Sequence, residues 1–137
     1  MAKGQPFSVR LSSETEKLVL AEAKRTKRSK SAVVEALTEE AARARLFPGI
    51  AFRGDDARRR AWVIGGGLDV SEIVEMLEDH GSIEKLLGAS ELTLAQVRLA
   101  TTYRDTFPIE IDSAVAENRR SVADLRALYP FVEVMGS

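Results

Sequence analysis

The segment Pro6-Phe7-Ser8-Val9-Arg10-Leu11 alternates apolar and polar side chains, and no second segment of that kind lies close to it in the sequence. A strand on its own leaves its backbone N–H and C=O groups without ladder partners, and even an isolated hairpin is marginal in water. The expected partner is a second copy of the same chain. Two such strands, paired antiparallel across a dimer axis, place Phe7, Val9 and Leu11 on the inner face and Ser8 and Arg10 on the outer.

Two short helical patterns follow. Ser13-Glu14-Thr15-Glu16 has the spacing of a capping box with Ser13 as N-cap, and it opens a helix with Leu18, Val19 and Ala23 on one side. Lys27-Arg28-Ser29-Lys30-Ser31 joins it to a second helix, capped by Ser29, in which Val33, Val34, Leu37 and Ala41 recur at three- and four-residue intervals. Each stripe is too thin for a monomer core, so the dimer core is expected from Phe7, Val9, Leu11, Val34 and Leu37.

Charge separates the same region from the rest. Residues 1–30 hold eight Lys+Arg and three Asp+Glu, a balance of +5, and the remaining residues hold twelve and eighteen, a balance of −6, giving the overall −1. A positive field confined to one end is the footprint of a nucleic-acid-binding head on an acidic body.

Residues 5 to 45 resemble the ribbon-helix-helix repressors, through Phe7, Val9 and Leu11 followed by Arg28-Ser29-Lys30-Ser31. The resemblance implies a two-stranded ribbon lying in the major groove of double-stranded DNA, with Ser8 and Arg10 reading base edges. It also implies that Arg28, Ser29, Lys30 and Ser31 hold a phosphate. A helix N-terminus suits that role, having unpaired N–H groups and a partial positive charge, to which Lys30 adds a full one. The family often has Gly in the loop where this chain has Lys27, so a left-handed conformation there carries a cost.

Composition sets outer bounds. The chain of 137 residues is one medium domain or two small ones. No apolar run approaches the ~20 residues of a spanning helix, and the N-terminus lacks a secretory pattern, so a cytoplasmic location is expected. With no Cys, thiolate catalysis and cysteine-based zinc sites fall away. The one histidine, His80, lies beside Asp79 at an expected helix end, and paired acids such as Asp55-Asp56 occupy turns. An enzyme is disfavoured, and neither a metal nor another cofactor is expected.

The helical period stops near Leu46-Phe47-Pro48-Gly49, which divides the chain into an expected head, 1–45, and a second domain, 46–137. Gly49-Ile50-Ala51-Phe52-Arg53 and Arg60-Ala61-Trp62-Val63-Ile64 predict a β-hairpin. Gly65-Gly66-Gly67 is a turn rather than a phosphate loop, because no Gly-Lys-Ser/Thr follows. Five helices are then expected: one capped by Asp69-Val70-Ser71-Glu72 to about Asp79, with Ile73, Val74 and Leu77 inward; one from Ser82 through Leu87, stopping at Gly88; one opened by Thr93 and ended by Phe107-Pro108, with Leu94, Val97 and Ala100 recurring; one over 109–118; and one over 122–128. The fold class is mainly α with short β.

Residues 47 to 112 resemble a small bacterial helix-turn-helix-like domain of unknown function found in antitoxins. The matching stretches are Phe47-Pro48-Gly49-Ile50, Val63-Ile64-Gly65, Gly67-Leu68-Asp69-Val70-Ser71-Glu72-Ile73-Val74 and Leu92-Thr93-Leu94-Ala95-Gln96-Val97. Joined to a ribbon-helix-helix head, this is similar to a type II antitoxin of the VapB kind. The resemblance implies two partners, a nuclease toxin of the PIN type and the pair's own promoter DNA.

Candidate toxin-binding residues are Arg58, Arg59, Arg60 and Trp62 on the hairpin and Tyr129 and Phe131 near the C-terminus. The stretches 46–54 and 128–136 share an aromatic-Pro pair, apolar residues and a Gly, which predicts extended chain after each Pro; the shared pattern is either a general feature of helix-to-strand exits or the mark of an edge strand over 131–135. The alternatives are a stand-alone regulator whose second domain senses a ligand or oligomerises, and an adaptor with no DNA role.

Overall fold

The computed structural model describes residues 4–131. Among them the protein is mainly helical, with six α-helices and one two-stranded antiparallel sheet. The chain divides into two compact units, Met1–Ala42 and Arg43–Ser137.

In the first unit, residues 4–12 have no regular secondary structure in the single chain. Helix α1 (Ser13–Thr26) begins one residue later than the capping pattern suggests: Ser12 is its N-cap, accepting a 3.2 Å hydrogen bond from Thr15 N, and Ser13 is the first helical residue. Adjacent serines offer the same hydroxyl, and Ser12 has the extended backbone that a cap requires (φ −63°, ψ 158°). Lys27 ends the helix in the left-handed region (φ 56°, ψ 38°), its N–H bonded to Ala23 O. Helix α2 (Lys30–Leu46) is capped by Ser29, whose Oγ accepts from Ala32 N at 3.1 Å. Val19 and Val33 are the buried apolar side chains of the described part of this unit; Leu18, beside Val19, is exposed.

In the second unit β1 (Ile50–Arg53) pairs with β2 (Arg60–Val63), Ile50 facing Val63 and Arg53 facing Arg60. The chain leaves β2 through Gly65 and Gly67, at φ 97° and 72°, conformations open to glycine at little cost. This turn lets Asp69 return as a bridge partner of Trp62 and then begin α3 (Val70–His80), closed by a capping box in which Glu72 Oε1 accepts from Asp69 N at 2.9 Å. Helix α4 (Ile83–Ala89) is capped by Ser82 and continues through Gly88, and α5 (Leu94–Thr106) is capped by Thr93 with Gln96 completing its box. Leu94 is 40% exposed, so the inward stripe of α5 is Val97, Ala100 and Tyr103.

The two helices expected over 109–118 and 122–128 are one, α6 (Pro108–Leu128). The polar run Glu117-Asn118-Arg119-Arg120-Ser121 reads as a break only if its side chains lack partners. Here Asn118 Nδ2 donates to Glu75 at 2.7 Å, and Arg119 Nη2 reaches Glu78 and Asp79 of α3, each at 3.0 Å. With neither Gly nor Pro in the run, the helix continues. The core of the unit lies among the hairpin, α3, α5 and the first half of α6, around Val63, Val70, Ile73, Leu86, Val97 and Tyr103. Each buried aliphatic side chain there stabilises the unit by about 1.5–3 kcal/mol. The edge strand considered over 131–135 lies outside the described residues, except for Phe131, which forms a turn with Pro130 instead of the expected extended chain. No helix among the described residues is long and apolar enough to cross a membrane.

Candidate functional site

The expected DNA-contacting residues of the first unit are all exposed. Ser8 and Arg10 lie in the segment preceding α1, where Phe7 is 87% and Val9 62% exposed and Leu11 is partly covered. Of the remaining residues expected in a dimer core, Val34 is partly buried and Leu37 is 43% exposed, while Val33 faces inward within the single chain.

The loop residues Arg28, Ser29, Lys30 and Ser31 surround the start of α2. The first backbone bond into the helix runs from Val33 N to Ser29 O, so the N–H groups of Lys30 and Ser31 precede the intrahelical ladder and point out of its positive end. Lys30 Nζ is paired with Glu16 Oε1 at 2.6 Å, with both side chains nearly half exposed. Such a pair is worth little in water, and a phosphate can replace the carboxylate. Glu16 is a contact that sequence spacing could not indicate, because its partner lies in the next helix.

On the hairpin, the run Arg58-Arg59-Arg60 separates into three environments. Arg60 Nε binds Asp69 Oδ2 at 2.6 Å, Arg59 donates to the carbonyls of Phe52 (3.2 Å) and Gly54 (3.3 Å), and Arg58 is exposed at the turn. Arg53 binds the other oxygen of Asp69 at 2.7 Å, and its guanidinium lies 4.8 Å from the Trp62 ring centre. On the hairpin Arg58 and part of Trp62 are thus exposed, whereas Arg53 and Arg60 hold the fold through Asp69. At the end of α6, Tyr129 and Phe131 form an edge-to-face pair with centroids 6.2 Å apart, Phe131 being 83% exposed.

Two further features emerge only in three dimensions. One is a polar cluster: Arg43 Nη1 donates to Tyr103 Oη and to Glu110 Oε1, both at 2.9 Å, and Tyr103 Oη donates to Glu110 Oε2 at 3.0 Å. Phe47, Tyr103 and Phe107 pack edge-on and tilted around it, with Arg43 3.8 Å from the Phe107 ring centre. Burial is the largest influence on the Tyr103 hydroxyl and pushes it up to about 12, with Arg43 opposing. For Arg43, burial acts to lower the value, but its hydrogen bonds to Tyr103 and Glu110 prevail and raise it.

The other feature is an open apolar groove of about 720 Å³, lined by residues from Leu46 to Pro48, by Val63 and Ile64, and by the α5 face from Ala95 to Thr106, with Arg98 as its one charged lining residue. Among the described residues no group of His, Asp and Glu has the arrangement to hold a metal ion, and the ring of His80 is engaged with Met76 O at 2.8 Å. Compared with known protein families, with curated proteins and with solved structures, the chain matches none.

Proposed function

We propose that this chain is the antitoxin of a type II toxin–antitoxin pair: a homodimer whose ribbon-helix-helix head represses its own promoter and whose second domain neutralises a nuclease of the PIN type. The reading rests on the head. The observation that carries it is an incomplete core: Phe7, Val9, Leu18 and Leu37 are 87%, 62%, 73% and 43% exposed. Val19 and Val33 alone are buried among the described residues of that unit. Side chains of this size left in water favour association, and the alternation at 6–11 favours strand pairing between copies.

In this reading Ser8 and Arg10 face the major groove, while Arg28 to Ser31 hold the backbone phosphate. The basic head is committed to DNA, so the nuclease falls to the second domain, at Arg58, Trp62, Tyr129 and Phe131. Sedimentation of the whole chain tests the first step. A dimer at micromolar concentration that dissociates on Val9→Asp is expected, because the substitution places a carboxylate in the shared core. A folded monomer at that concentration overturns the reading. Co-expression with the neighbouring gene product, followed by co-purification with the whole chain but not with residues 1–45 alone, tests the second.

A further inference from the structure

We propose that α5 is a second self-association surface, on which the α5 of another copy of this chain lies antiparallel along the apolar groove. The wall that α5 gives to the groove is a seam: Ala95, Leu99, Thr102 and Thr106 recur at intervals of four, three and four residues. That is the spacing with which one helix packs along another. Leu99 is partly covered, and the other three are exposed. Elsewhere on the lining Leu46 and Ile64 are 66% and 54% exposed, so a helix laid in the groove also removes them from water.

Charge selects the occupant. Arg98 and Asp105 flank the seam on one side, seven residues apart. The Asp105 side chain is 75% exposed and meets Arg104 at 3.9 Å, while Arg98 is exposed and forms no ion pair among the described residues. Seven residues of helix separate the two by about 10 Å, so they do not neutralise each other. In an antiparallel pair about a two-fold axis, setting Leu99 against Thr102 of the second copy sets Ala95 against its Thr106. The same register brings Arg98 beside Asp105 of the second copy, and symmetry makes that ion pair twice. A parallel pair in register instead puts Arg98 level with Arg98 and Asp105 level with Asp105. One surface thus carries both halves of its own partner, the isologous pattern of a two-fold contact.

The polar atoms of the seam do not oppose burial. A threonine hydroxyl in a helix can turn back to the carbonyl four residues earlier, as Thr106 Oγ1 does to Thr102 O at 3.2 Å, so covering the seam strands neither hydroxyl. With one leucine in each seam the contact is weaker than the shared head, and the micromolar dissociation expected of Val9→Asp stands. It rests on neither the DNA nor the nuclease reading.

The chain has no cysteine, so one introduced thiol is unique. Full-length Ala95→Cys and Thr106→Cys chains, altered at exposed positions, are mixed at roughly millimolar concentration, oxidised gently and mapped by mass spectrometry. A disulfide joining position 95 to position 106 is expected in excess over same-position disulfides, whose ends this register holds about 16 Å apart, beyond disulfide reach. Arg98→Glu in both chains should lower its yield about fivefold, and Asp105→Arg added to both should restore it. Absence of the 95-to-106 disulfide, equal or larger yields of the same-position disulfides, a yield indifferent to Arg98→Glu, or no recovery on adding Asp105→Arg overturns the proposal. None of these residues belongs to the head, so the sedimentation of Val9→Asp and the charge response of this disulfide fail separately.

Discussion

Arg53 and Arg60 stand opposite each other across the hairpin, and the carboxylate of Asp69 joins them, 2.7 Å from Arg53 Nη2 and 2.6 Å from Arg60 Nε. Like charges directly opposed on a sheet repel, so this register is tolerable because a third residue supplies the counter-charge. Asp69 does so while starting α3, which ties the helix to the hairpin. Asp69→Asn keeps a side chain suited to helix capping but removes the charge. The loss expected in urea denaturation is about 1–3 kcal/mol, below the range for fully buried pairs because both arginines are partly solvated. Adding Arg60→Gln should recover part of it. A variant within about 0.5 kcal/mol of wild type shows that the carboxylate is not the link.

Tyr103 should make stability fall at alkaline pH. Its folded-state value is raised, from 10.0 to about 12, so the unfolded chain releases this proton first. The contribution is therefore fully present below pH 10 and is lost as pH rises toward 12. The loss is on the order of 2–3 kcal/mol over that interval. Tyr103→Phe should remove this component of the alkaline decline, while costing about 1–2 kcal/mol at neutral pH by leaving Arg43 with one partner fewer. Denaturation midpoints of both proteins across this range make the comparison.

Lys27 is the one non-glycine residue with positive φ among those described. An L-residue in that region carries a penalty of roughly 1–2 kcal/mol, part of which glycine gives back as unfolded-state entropy. Lys27→Gly should raise the stability of the head by about 0.5–1 kcal/mol, and Lys27→Val should lower it. If the two variants move stability in the same direction, the turn does not depend on this conformation.

In the DNA-binding reading, Arg10 and Lys30 have separable effects. Arg10→Ala should weaken operator binding and relax sequence preference by about 1–3 kcal/mol of discrimination. Lys30→Ala should weaken binding on all sequences alike and reduce the salt slope by about one unit. It also leaves Glu16 unpaired near the phosphate, so Glu16→Gln in the same chain should return part of the affinity. Titrations at several salt concentrations on operator and random duplexes separate these outcomes, and an unchanged preference in Arg10→Ala rules out the strand register.

Local signals in the sequence located most of the elements. The hairpin, the Gly65 to Gly67 turn, and the starts of α3, α4 and α5 were legible because each depends on residues within one turn of itself: a cap at Asp69, Ser82 or Thr93, or alternation in Ile50–Arg53 and Arg60–Val63. Where two solutions were chemically equal, as with Ser12 and Ser13 at α1, backbone conformation made the choice.

Long-range partners were not legible. Continuity of α6 through Asn118 and Arg119 depends on carboxylates some forty residues earlier, and the roles of Arg53 and Arg60 depend on where Asp69 returns after the glycine turn. The sequence by itself determined a basic, alternating N-terminal segment too thin in apolar residues to complete a core, and an acidic, mainly helical remainder with a hairpin at its start. Only the tertiary structure decided which arginines are spent on the fold, that Tyr103 is buried against Arg43 and Glu110, and that an apolar groove lies open beside α5. The physical reason is range: caps and periodicity act over three or four residues, whereas charge pairing and groove shape arise between residues that only the folded chain brings together.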